Sequence, residues 1–321
     1  MKCHRAVVPL AVLVLVTFGS AACRTAAPAR RAPQLPASSV VNDVHAGLNP
    51  TRVHEVVAPR SVEDVQAVVR RARAEGRAVS IAGARHAMGG QQFGEDTILI
   101  DMTGMNRILD LDRERGIVSA EAGVTWPDLV SWLVRTQSGG GPQWGIRQKQ
   151  TGADRLTLGG ALSANAHGRG LAMKPIVGDV ESFTVVDAGG RLLRCSREEN
   201  SELFRLAIGG YGLFGVIATV ELRLVPRRKL ERVVEVVELA DLPAAFEQRI
   251  AEGYLYGDFQ FAVDPRSPDF LRQGVFSCYR PVPDDTAISE GQAELSPDEW
   301  HELSYLTHVE PWLGLPRSIS P

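Results

Sequence analysis

Three glycine-rich segments are the part of this sequence whose residue types and spacing best suit binding chemistry. The first, residues 83–90, follows a predicted strand, and its small residues let successive backbone N–H groups point at one anionic group. The second, residues 157–170, places two glycines at a predicted helix start, where we expect free N–H donors and room for a flat ring. The third covers residues 209–215. Together they predict a site for a large, flat, anionic ligand.

Each segment also has a purely structural explanation. The first matches an ordinary turn between a strand and a loop, and the second matches a tight contact between helices. The third contains G-x-G-x-x-G at Gly210, Gly212 and Gly215, but a helix precedes it and a strand follows, the reverse of the dinucleotide fingerprint. This order excludes a nicotinamide Rossmann site. The sequence also lacks P-loop, G-x-S-x-G, C-x-x-C and H-E-x-x-H motifs, so it predicts no metal site.

The composition indicates a folded protein without a strong charge bias. Of 321 residues, 44% are hydrophobic and 23% are charged, which excludes a disordered chain, a coiled coil and a disulfide-stabilised mini-protein. Lys and Arg number 35 and Asp and Glu number 38, so the formal net charge is −3 and no nucleic-acid partner is expected.

The N-terminus resembles an export signal. A short basic stretch and an apolar run occupy residues 1–22, and small residues lead to Cys23, as in a bacterial lipobox. We expect an exported lipoprotein whose only membrane attachment is a lipid on Cys23, followed by a flexible tether over residues 23–41. Ordinary cleavage, giving a periplasmic or secreted protein, and an uncleaved anchor are the alternatives. Cys195 and Cys278 then form either one disulfide or, as we favour, two separate buried thiols.

Helices and strands are mixed along the rest of the chain, which predicts an α+β fold. Ser61, Thr125 and Thr157 are good N-caps for three helices, of which the first ends near Ala74 and the third at Ala166. Two further helices are predicted over residues 196–208 and 242–252. Predicted strands cover residues 53–57, 79–82, 97–102, 117–121, 183–186, 192–195, 216–224 and 233–239. From residue 264 onward the periodicity fades, and we place no regular element there.

The order and spacing of residues 57–65, 83–90, 158–170 and 209–217 resemble those of the FAD-binding, PCMH-type domain of the vanillyl-alcohol oxidase / para-cresol methylhydroxylase superfamily. The resemblance covers about residues 45–225. It implies two α+β subdomains that clasp FAD, over residues 42–226. A partial α+β substrate or cap domain would follow over residues 227–321, in a chain that is C-terminally shortened.

The resemblance also implies which residues contact FAD. The loop around the pyrophosphate would comprise Gly83, Ala84, Arg85, His86, Ala87 and Met88. The flavin and its ribityl chain would lie against Leu158, Gly159, Gly160, Ser163, Asn165, His167 and Gly168. Backbone contacts would come from Gly215, Val216 and Ile217, and Gly152 is a further candidate.

His86 has the sharpest implied role. In many members of the superfamily this loop carries Gly-His-Ser, and the histidine bonds covalently to the 8α-methyl carbon of the flavin. Here the histidine lies between Arg85 and Ala87, so the flanking residues depart from that pattern. Covalent attachment, a non-covalent contact and an ordinary loop histidine therefore all stay open. For His167 we favour a structural or flavin-contacting role over acid–base catalysis.

For the reaction, the resemblance implies an FAD-dependent oxidoreductase that oxidises a CH–OH group of a small alcohol, sugar or lactone by hydride transfer to flavin N5. The electron acceptor would be oxygen or a respiratory partner. No catalytic base is assigned among the candidates of the second domain, which are Glu252, Tyr254, Tyr256, Asp258 and Tyr279. The alternative is a truncated reading frame, which would leave an FAD-binding lipoprotein without catalytic turnover.

Overall fold

The computed structural model describes residues 39–138, 141–150 and 154–288, together with residues 296 and 298. The predicted signal peptide and most of the predicted tether therefore lie outside the described residues. The described chain begins with an antiparallel pair of strands, β1 (Ser39–Val41) and β2 (Thr51–Val53). The longest helix that the structure describes has 13 residues, and none in this part of the chain is long and apolar enough to cross a membrane.

A small parallel sheet forms one layer of the fold. Its elements are β3 (Glu55–Val57), α1 (Val62–Ala74), β4 (Val79–Ala82) and β5 (Ile98–Asp101). Both β3 and β4 pair in parallel with β5, and α1 connects β3 to β4. The predicted N-cap of α1 is confirmed, because the Ser61 hydroxyl accepts a hydrogen bond of 3.1 Å from the Asp64 backbone N–H. The buried face of α1 consists of Val65, Val68, Val69 and Ala72.

A five-stranded antiparallel sheet forms the second layer. The chain passes through β6 (Ile108–Asp112), β7 (Ile117–Glu121), α2 (Trp126–Thr136), β8 (Trp144–Gly145), α3 (Leu158–Ser163), β9 (Val180–Val186), β10 (Leu192–Ser196), α4 (Ser201–Ala207) and β11 (Val216–Arg223). The strand order in the sheet is β10-β9-β11-β7-β6. The strand predicted for residues 216–224 is confirmed as β11, in which Val216, Ala218, Val220 and Leu222 are all buried.

One hydrophobic core joins these two layers. Side chains of α1 and the parallel sheet pack with those of α2, α3 and the five-stranded sheet in a single cluster. Its largest fully buried members include Ile98, Trp126 and Phe183. Because the two layers share this core, the loops that leave their strands are held at defined positions, which is what a binding site requires.

The residues from Lys229 onward form a third sheet. Its elements are β13 (Lys229–Glu238), α5 (Leu242–Ala251), β14 (Tyr256–Phe261) and β15 (Gln273–Val282), and a two-residue strand, β12 (Val225–Pro226), precedes it and pairs with β8. The strand order is β13-β15-β14, all antiparallel. Tyr254, Phe276 and Cys278 form its small core, and the Phe246 ring of α5 meets the Phe276 ring edge-on at 4.7 Å between centroids.

Strand β15 was missed by the sequence analysis, which placed no element after residue 264. Its Gly274, Ser277 and Pro281 lower the intrinsic strand propensity. Tertiary pairing compensates, because β15 is hydrogen-bonded to β13 on one edge and to β14 on the other.

Two predicted helix boundaries were also wrong. The helix predicted for residues 196–208 begins at Ser201, because Ser196 still belongs to β10 and its hydroxyl accepts the Glu199 N–H in a turn. The helix capped by Thr157 ends at Ser163 rather than at Ala166, since the chain leaves helical geometry at Asn165, where φ is 45°.

Cys195 and Cys278 are free and buried, which confirms the favoured alternative of two separate thiols. They lie in different hydrophobic clusters, the first in the shared core and the second under α5. Burial raises the pKa of each thiol to about 11, so both are protonated at neutral pH.

Candidate functional site

A cavity of about 300 Å³ lies where the three glycine-rich segments meet. The first segment contributes Gly83, Ala84, Arg85, His86 and Ala87. The second contributes Thr157, Gly159, Gly160, Ser163 and Ala164, and the third with its following strand contributes Tyr211, Gly212, Gly215 and Ile217. The rest of the wall consists of Ile81, Gln91, Gln92, Met102, Ala122 and Leu156. The volume lies at the lower end of the range for small-molecule sites, roughly 300–1,000 Å³.

The backbone of residues 84–88 differs in how its acceptors and its donors are bonded. Three of its carbonyls accept hydrogen bonds: that of Arg85 from the Val44 N–H at 3.0 Å, that of Ala87 from the Gly90 N–H at 3.1 Å, and that of Met88 from the Asn49 side-chain amide at 2.6 Å. The backbone N–H groups of residues 84–88, by contrast, have no acceptor within the described ranges. Arg85 has left-handed backbone, with φ at 60°, which turns neighbouring N–H groups toward one point. The loop therefore has the unbonded N–H donors that an anion-binding concavity requires.

The positive charge of Arg85 is already compensated within the protein. Its Nη2 atom lies 2.9 Å from Oδ2 of Asp101, the last residue of β5. The other carboxylate oxygen of Asp101 accepts the Thr103 backbone N–H at 3.1 Å. This pair holds the loop against the end of the parallel sheet, so an anion in the cavity is recognised chiefly by backbone donors.

His86 is hydrogen-bonded to a second histidine that the sequence analysis missed. His86 Nδ1 lies 2.7 Å from His45 Nε2, and the ring centroids are 4.7 Å apart. Burial, then His45, then Arg155 lower the pKa of His86, which favours the neutral ring. No motif links His45 to His86 in the sequence, because 40 residues and three strands separate them.

The first turn of α3 does not offer the free donors that the sequence led us to expect. The N–H groups of Leu158 and Gly159 donate to the carbonyls of Val124 and Ala122, each at 2.8 Å. The Gly160 N–H is bonded to the Thr157 hydroxyl at 3.2 Å, which confirms Thr157 as the N-cap. The expectation was wrong because α3 docks end-on against the chain that follows β7.

Glycine in α3 serves close packing. A Cβ atom at Gly159 would lie 2.9 Å from the Cβ of Ala122, closer than carbon atoms normally approach. A Cβ atom at Gly83 would lie 2.1 Å from the Thr157 hydroxyl, so the first and second segments touch at this point. The small residues of α3 thus form a flat part of the cavity wall.

The third segment is tied to α3 and to β9. The N–H groups of Gly209 and Tyr211 donate to the carbonyls of Leu162 and Ser163, at 2.9 and 3.0 Å. Gly215 has φ at 130°, and a Cβ atom there would lie 2.6 Å from the Val186 carbonyl oxygen. Only glycine fits this position.

Gln92 presents a buried acceptor without a donor. Its Oε1 atom has no hydrogen-bond partner in the part of the chain that the structure describes. The amide orientation follows from Nε2, which donates to the Ala87 carbonyl at 3.1 Å. A buried polar atom without a partner costs about 1–3 kcal/mol. A ligand that supplies an O–H or N–H donor at this point would recover that free energy.

Most predicted cofactor-binding residues line the cavity, and the others lie elsewhere. Leu158 and Val216 are buried in the core, and Met88 is exposed. Asn165 accepts the Val177 N–H, His167 is bonded to the Gly168 carbonyl, and the Gly168 N–H is bonded to Gln148. Gly152 lies outside the described residues. For these positions a contact with the cofactor stays a prediction.

Several wall residues were not among the predicted contacts. Ile81 and Leu156 precede the first and second segments directly, so extending each segment by one or two residues would have found them. Met102 and Ala122 follow strands β5 and β7, and only tertiary structure brings those strand ends to the cavity. None of the base candidates Glu252, Tyr254, Tyr256, Asp258 and Tyr279 lines the cavity as described.

Comparison with protein families matches residues 53–196 to an FAD binding domain. L-gulonolactone oxidase from Bos taurus is 32% identical over 174 residues, which are 54% of this chain and 38% of that protein. L-gulono-1,4-lactone dehydrogenase from Mycobacterium tuberculosis is 29% identical over 177 residues, 55% of this chain and 39% of its own length. The matched region thus spans less than two fifths of these relatives.

Among solved structures, alkyldihydroxyacetonephosphate synthase shares the fold, with a TM-score of 0.62 at 19% sequence identity. The superposition covers 73% of this chain and 48% of that chain.

Proposed function

Residues 53–196 belong to the FAD-binding domains of the PCMH type, found in the vanillyl-alcohol oxidase / para-cresol methylhydroxylase superfamily, and from this premise we propose that the protein is an FAD-dependent oxidoreductase acting on a CH–OH group. One observation carries the proposal. Three glycine-rich segments meet at one cavity. In the first segment, the backbone N–H groups of residues 84–88 have no acceptor within the described ranges.

The residues present fit FAD. The loop of residues 84–88 would bind the diphosphate through its N–H groups. The Gln92 Oε1 atom would accept a hydrogen bond from a ribose or ribityl hydroxyl, since a diphosphate carries no donor at neutral pH. The small residues Gly159, Gly160 and Ser163 would lie against the flavin or its ribityl chain.

When bound, FAD supplies a hydride acceptor at N5. The protein's contribution at this cavity is position and exclusion of water. Apolar side chains of Ile81, Met102, Leu156 and Ile217 line the wall, so water is displaced when the ligand enters. The Arg85–Asp101 pair anchors the diphosphate loop to β5 and thereby fixes the ligand relative to the sheet.

A sugar lactone is the substrate class we favour among small alcohols, sugars and lactones. Its support is that relatives matched over this domain bear the names L-gulonolactone oxidase and L-gulono-1,4-lactone dehydrogenase. The two names include an oxidase and a dehydrogenase, so oxygen and a respiratory acceptor are both retained as electron acceptors.

The test is reconstitution followed by reduction. The purified full chain is mixed with FAD, and its visible spectrum is recorded before and after anaerobic addition of L-gulono-1,4-lactone and a panel of sugars, lactones and small alcohols. We expect a bound flavin spectrum that one class of donor bleaches and that oxygen or an artificial electron acceptor restores. A folded protein that takes up no FAD would refute the proposal. A yellow protein that no donor bleaches would favour the alternative, an FAD-binding lipoprotein without turnover.

We propose His86 as the residue that attaches FAD covalently. The residue lines the cavity, and its lowered pKa favours the neutral, nucleophilic ring. Acid precipitation of the holoprotein should leave yellow flavin in the pellet, and a His86→Ala variant should release it. His54→Ala is the matched control, because His54 lies outside the cavity wall, beside Asp96, and is not a predicted cofactor contact. Release of all flavin from the wild type would disprove covalent attachment and leave FAD binding intact.

Export and lipidation at Cys23 are a further proposal, supported by the sequence of residues 1–23 alone. The mass of the mature protein, isolated from membranes, should show a diacylglyceryl-modified Cys23 at the N-terminus. A Cys23→Ser variant should lose the lipid and leave the membrane fraction. An unmodified wild-type N-terminus would exclude lipidation.

A further inference from the structure

We propose that an apolar rim around the cavity contacts the lipid bilayer to which the lipidated N-terminus tethers the protein. The rim comprises three residues in or beside the first glycine-rich segment and two in the third, namely Val44, Leu48, Met88, Tyr211 and Leu213. Each of these large side chains is between 57% and 84% exposed. Single exposed apolar residues are ordinary, whereas a group of them around one opening indicates a contact surface for an apolar partner.

The first part of the rim belongs to the loop of residues 42–49 and to the residue that this loop holds. The Val44 N–H donates to the Arg85 carbonyl at 3.0 Å. The Asn49 side-chain amide donates to the Met88 carbonyl at 2.6 Å. These two hydrogen bonds join the loop to the first glycine-rich segment, which forms one wall of the cavity.

The second part of the rim lies in the third glycine-rich segment. Tyr211 lines the cavity although more than half of its side chain is exposed, so it lies at the opening. Gln91, which directly follows the first segment, is likewise both exposed and part of the wall. The cavity therefore opens between the two parts of the rim, and Leu213 projects beside that opening.

The charge at this surface fits a lipid better than an ionic partner. One Asp, one Arg and no Lys or Glu occur in the three segments that carry the rim, residues 42–49, 84–90 and 209–215. The Asp43 carboxylate is buried and accepts backbone N–H groups of its own loop, and Arg85 is paired with Asp101. Contact with an apolar phase therefore requires no unpaired charge of these segments to lose its water.

The route of the chain keeps the rim close to the membrane, and this step rests on the proposed lipidation. The described chain begins at Ser39 in β1, and the loop of residues 42–49 follows that strand directly. Residues 23–38 lie outside the described residues, and sixteen residues span at most about 58 Å however they are arranged. A lipid on Cys23 thus keeps β1 within that distance of the bilayer, where apolar contact adds to the affinity of the anchor. The sequence predicted the lipid as the only membrane attachment, and the rim adds a second.

The first experiment asks whether the rim touches lipid when the protein is anchored. The lipoprotein is isolated with Leu48→Cys or Leu213→Cys, labelled with a polarity-sensitive fluorophore and reconstituted into phosphatidylcholine vesicles. Cys195 and Cys278 are buried and stay unlabelled. We expect blue-shifted emission that lipids with nitroxide-labelled acyl chains quench. Val236→Cys is the matched control, because Val236 is a half-exposed apolar residue of β13 outside the cavity wall, and its label should report water.

The second experiment measures the affinity of the rim without the anchor. The mature chain of residues 23–321, carrying Cys23→Ser, is mixed with phosphatidylcholine vesicles, which are then sedimented. We expect weak binding that high salt leaves unchanged, because ions do not screen the burial of apolar side chains. Leu48→Asp and Leu213→Asp should each reduce this binding by about 10-fold or more, since a charged side chain is costly in an apolar phase. Val236→Asp should bind like the parent chain.

Each experiment can overturn the inference. Equal emission from all three labelled positions would do so, and so would a failure of the unlipidated chain to bind vesicles. Binding that requires anionic lipid and weakens in salt would assign the contact to charge. A dimer that Leu213→Asp separates into monomers would assign the rim to a second copy of the chain. If the mass of the isolated protein shows no lipid on Cys23, the proposed lipidation fails, and the second experiment decides the role of the rim by itself.

Discussion

The loop of residues 84–88 and the first turn of α3 face the same cavity, and both belong to segments rich in small residues, 83–90 and 157–170. In the loop, backbone N–H groups lack acceptors among the described residues, while the Arg85 and Ala87 carbonyls are bonded. In α3 the N–H groups of Leu158 and Gly159 are bonded to the carbonyls of Val124 and Ala122. The loop can therefore bind an anion, whereas α3 supplies a surface.

The difference shows that small residues do not by themselves indicate free donors. Whether an N–H group is available depends on which carbonyl lies opposite, and that is a property of packing. At Gly159 the missing side chain permits contact with Ala122, whereas at Arg85 the backbone is left-handed without a glycine and the N–H groups around it have no acceptor among the described residues.

The largest expected effect tests the loop as the anion site. FAD should bind at least roughly 100-fold more tightly than riboflavin, because hydrogen bonds to a charged group contribute about 1.5–3 kcal/mol each. Both affinities are measured by calorimetry on the His86→Ala variant, so that covalent capture does not interfere. Affinities within a factor of ten of each other would mean that the diphosphate is not what the loop binds.

The next effect tests α3 as a packing surface. Gly159→Ala should lower the free energy of unfolding by about 1–3 kcal/mol, because the new Cβ atom overpacks against Ala122. Gly160→Ala is the matched control on the same helix, since its Cβ atom would meet only the Thr157 hydroxyl, at 3.1 Å. The free energy of unfolding of Gly160→Ala should stay within about 1 kcal/mol of the wild-type value, because alanine favours the helix more than glycine does. The free energies of unfolding are measured by urea titration of both variants. An equal loss of stability in Gly159→Ala and Gly160→Ala would contradict the packing interpretation.

A smaller effect is expected where the two segments touch. Thr157→Ala removes the hydroxyl that accepts the Gly160 N–H and should destabilise the protein by about 1 kcal/mol. Thr157→Ser keeps the hydroxyl and should be close to wild type. Ser61→Ala removes the cap of the distant α1 at a similar cost, but it should leave FAD affinity unchanged. If Thr157→Ala also leaves FAD affinity unchanged, the cap does not shape the cavity.

The smallest effect concerns the segment that supports the loop. Hydrogen bonds from Asn49 and from backbone N–H groups lower the pKa of Asp43 from 3.8 to about 2. A carboxyl group with a lowered folded-state pKa stabilises the fold above its ordinary pKa and loses that contribution as the pH falls toward the folded value. The protection factors of the Ala46 and Gly47 N–H groups in hydrogen exchange should therefore be constant down to pH 3.8 and then fall toward pH 2, because both N–H groups donate to the Asp43 carboxylate. In Asp43→Asn the protection factors should be constant across this window, and a wild-type profile without the fall would show that Asp43 does not hold the segment.

Much of the local structure could be read from the residues. The caps Ser61 and Thr157 and the strand over residues 216–224 depend on short-range patterns, and they appear close to where they were predicted. The α+β class and the meeting of three glycine-rich segments at one ligand site followed from the order of those elements. Strand β15 could not be read in this way, because it is stabilised by pairing with β13 and β14 and its own residues carry only a weak strand pattern.

Local sequence thus specified the caps Ser61 and Thr157 and the segments that carry small residues, because those features depend on neighbours within a few positions. The three-dimensional arrangement decided which N–H groups lack acceptors among the described residues and which, like those in the first turn of α3, are bonded to carbonyls of another segment. It also brought His45 into contact with His86, from which 40 residues separate it in the sequence. A hydrogen bond forms with whatever group the packed layers bring within 3 Å, and the separation of two residues along the chain does not reveal that distance.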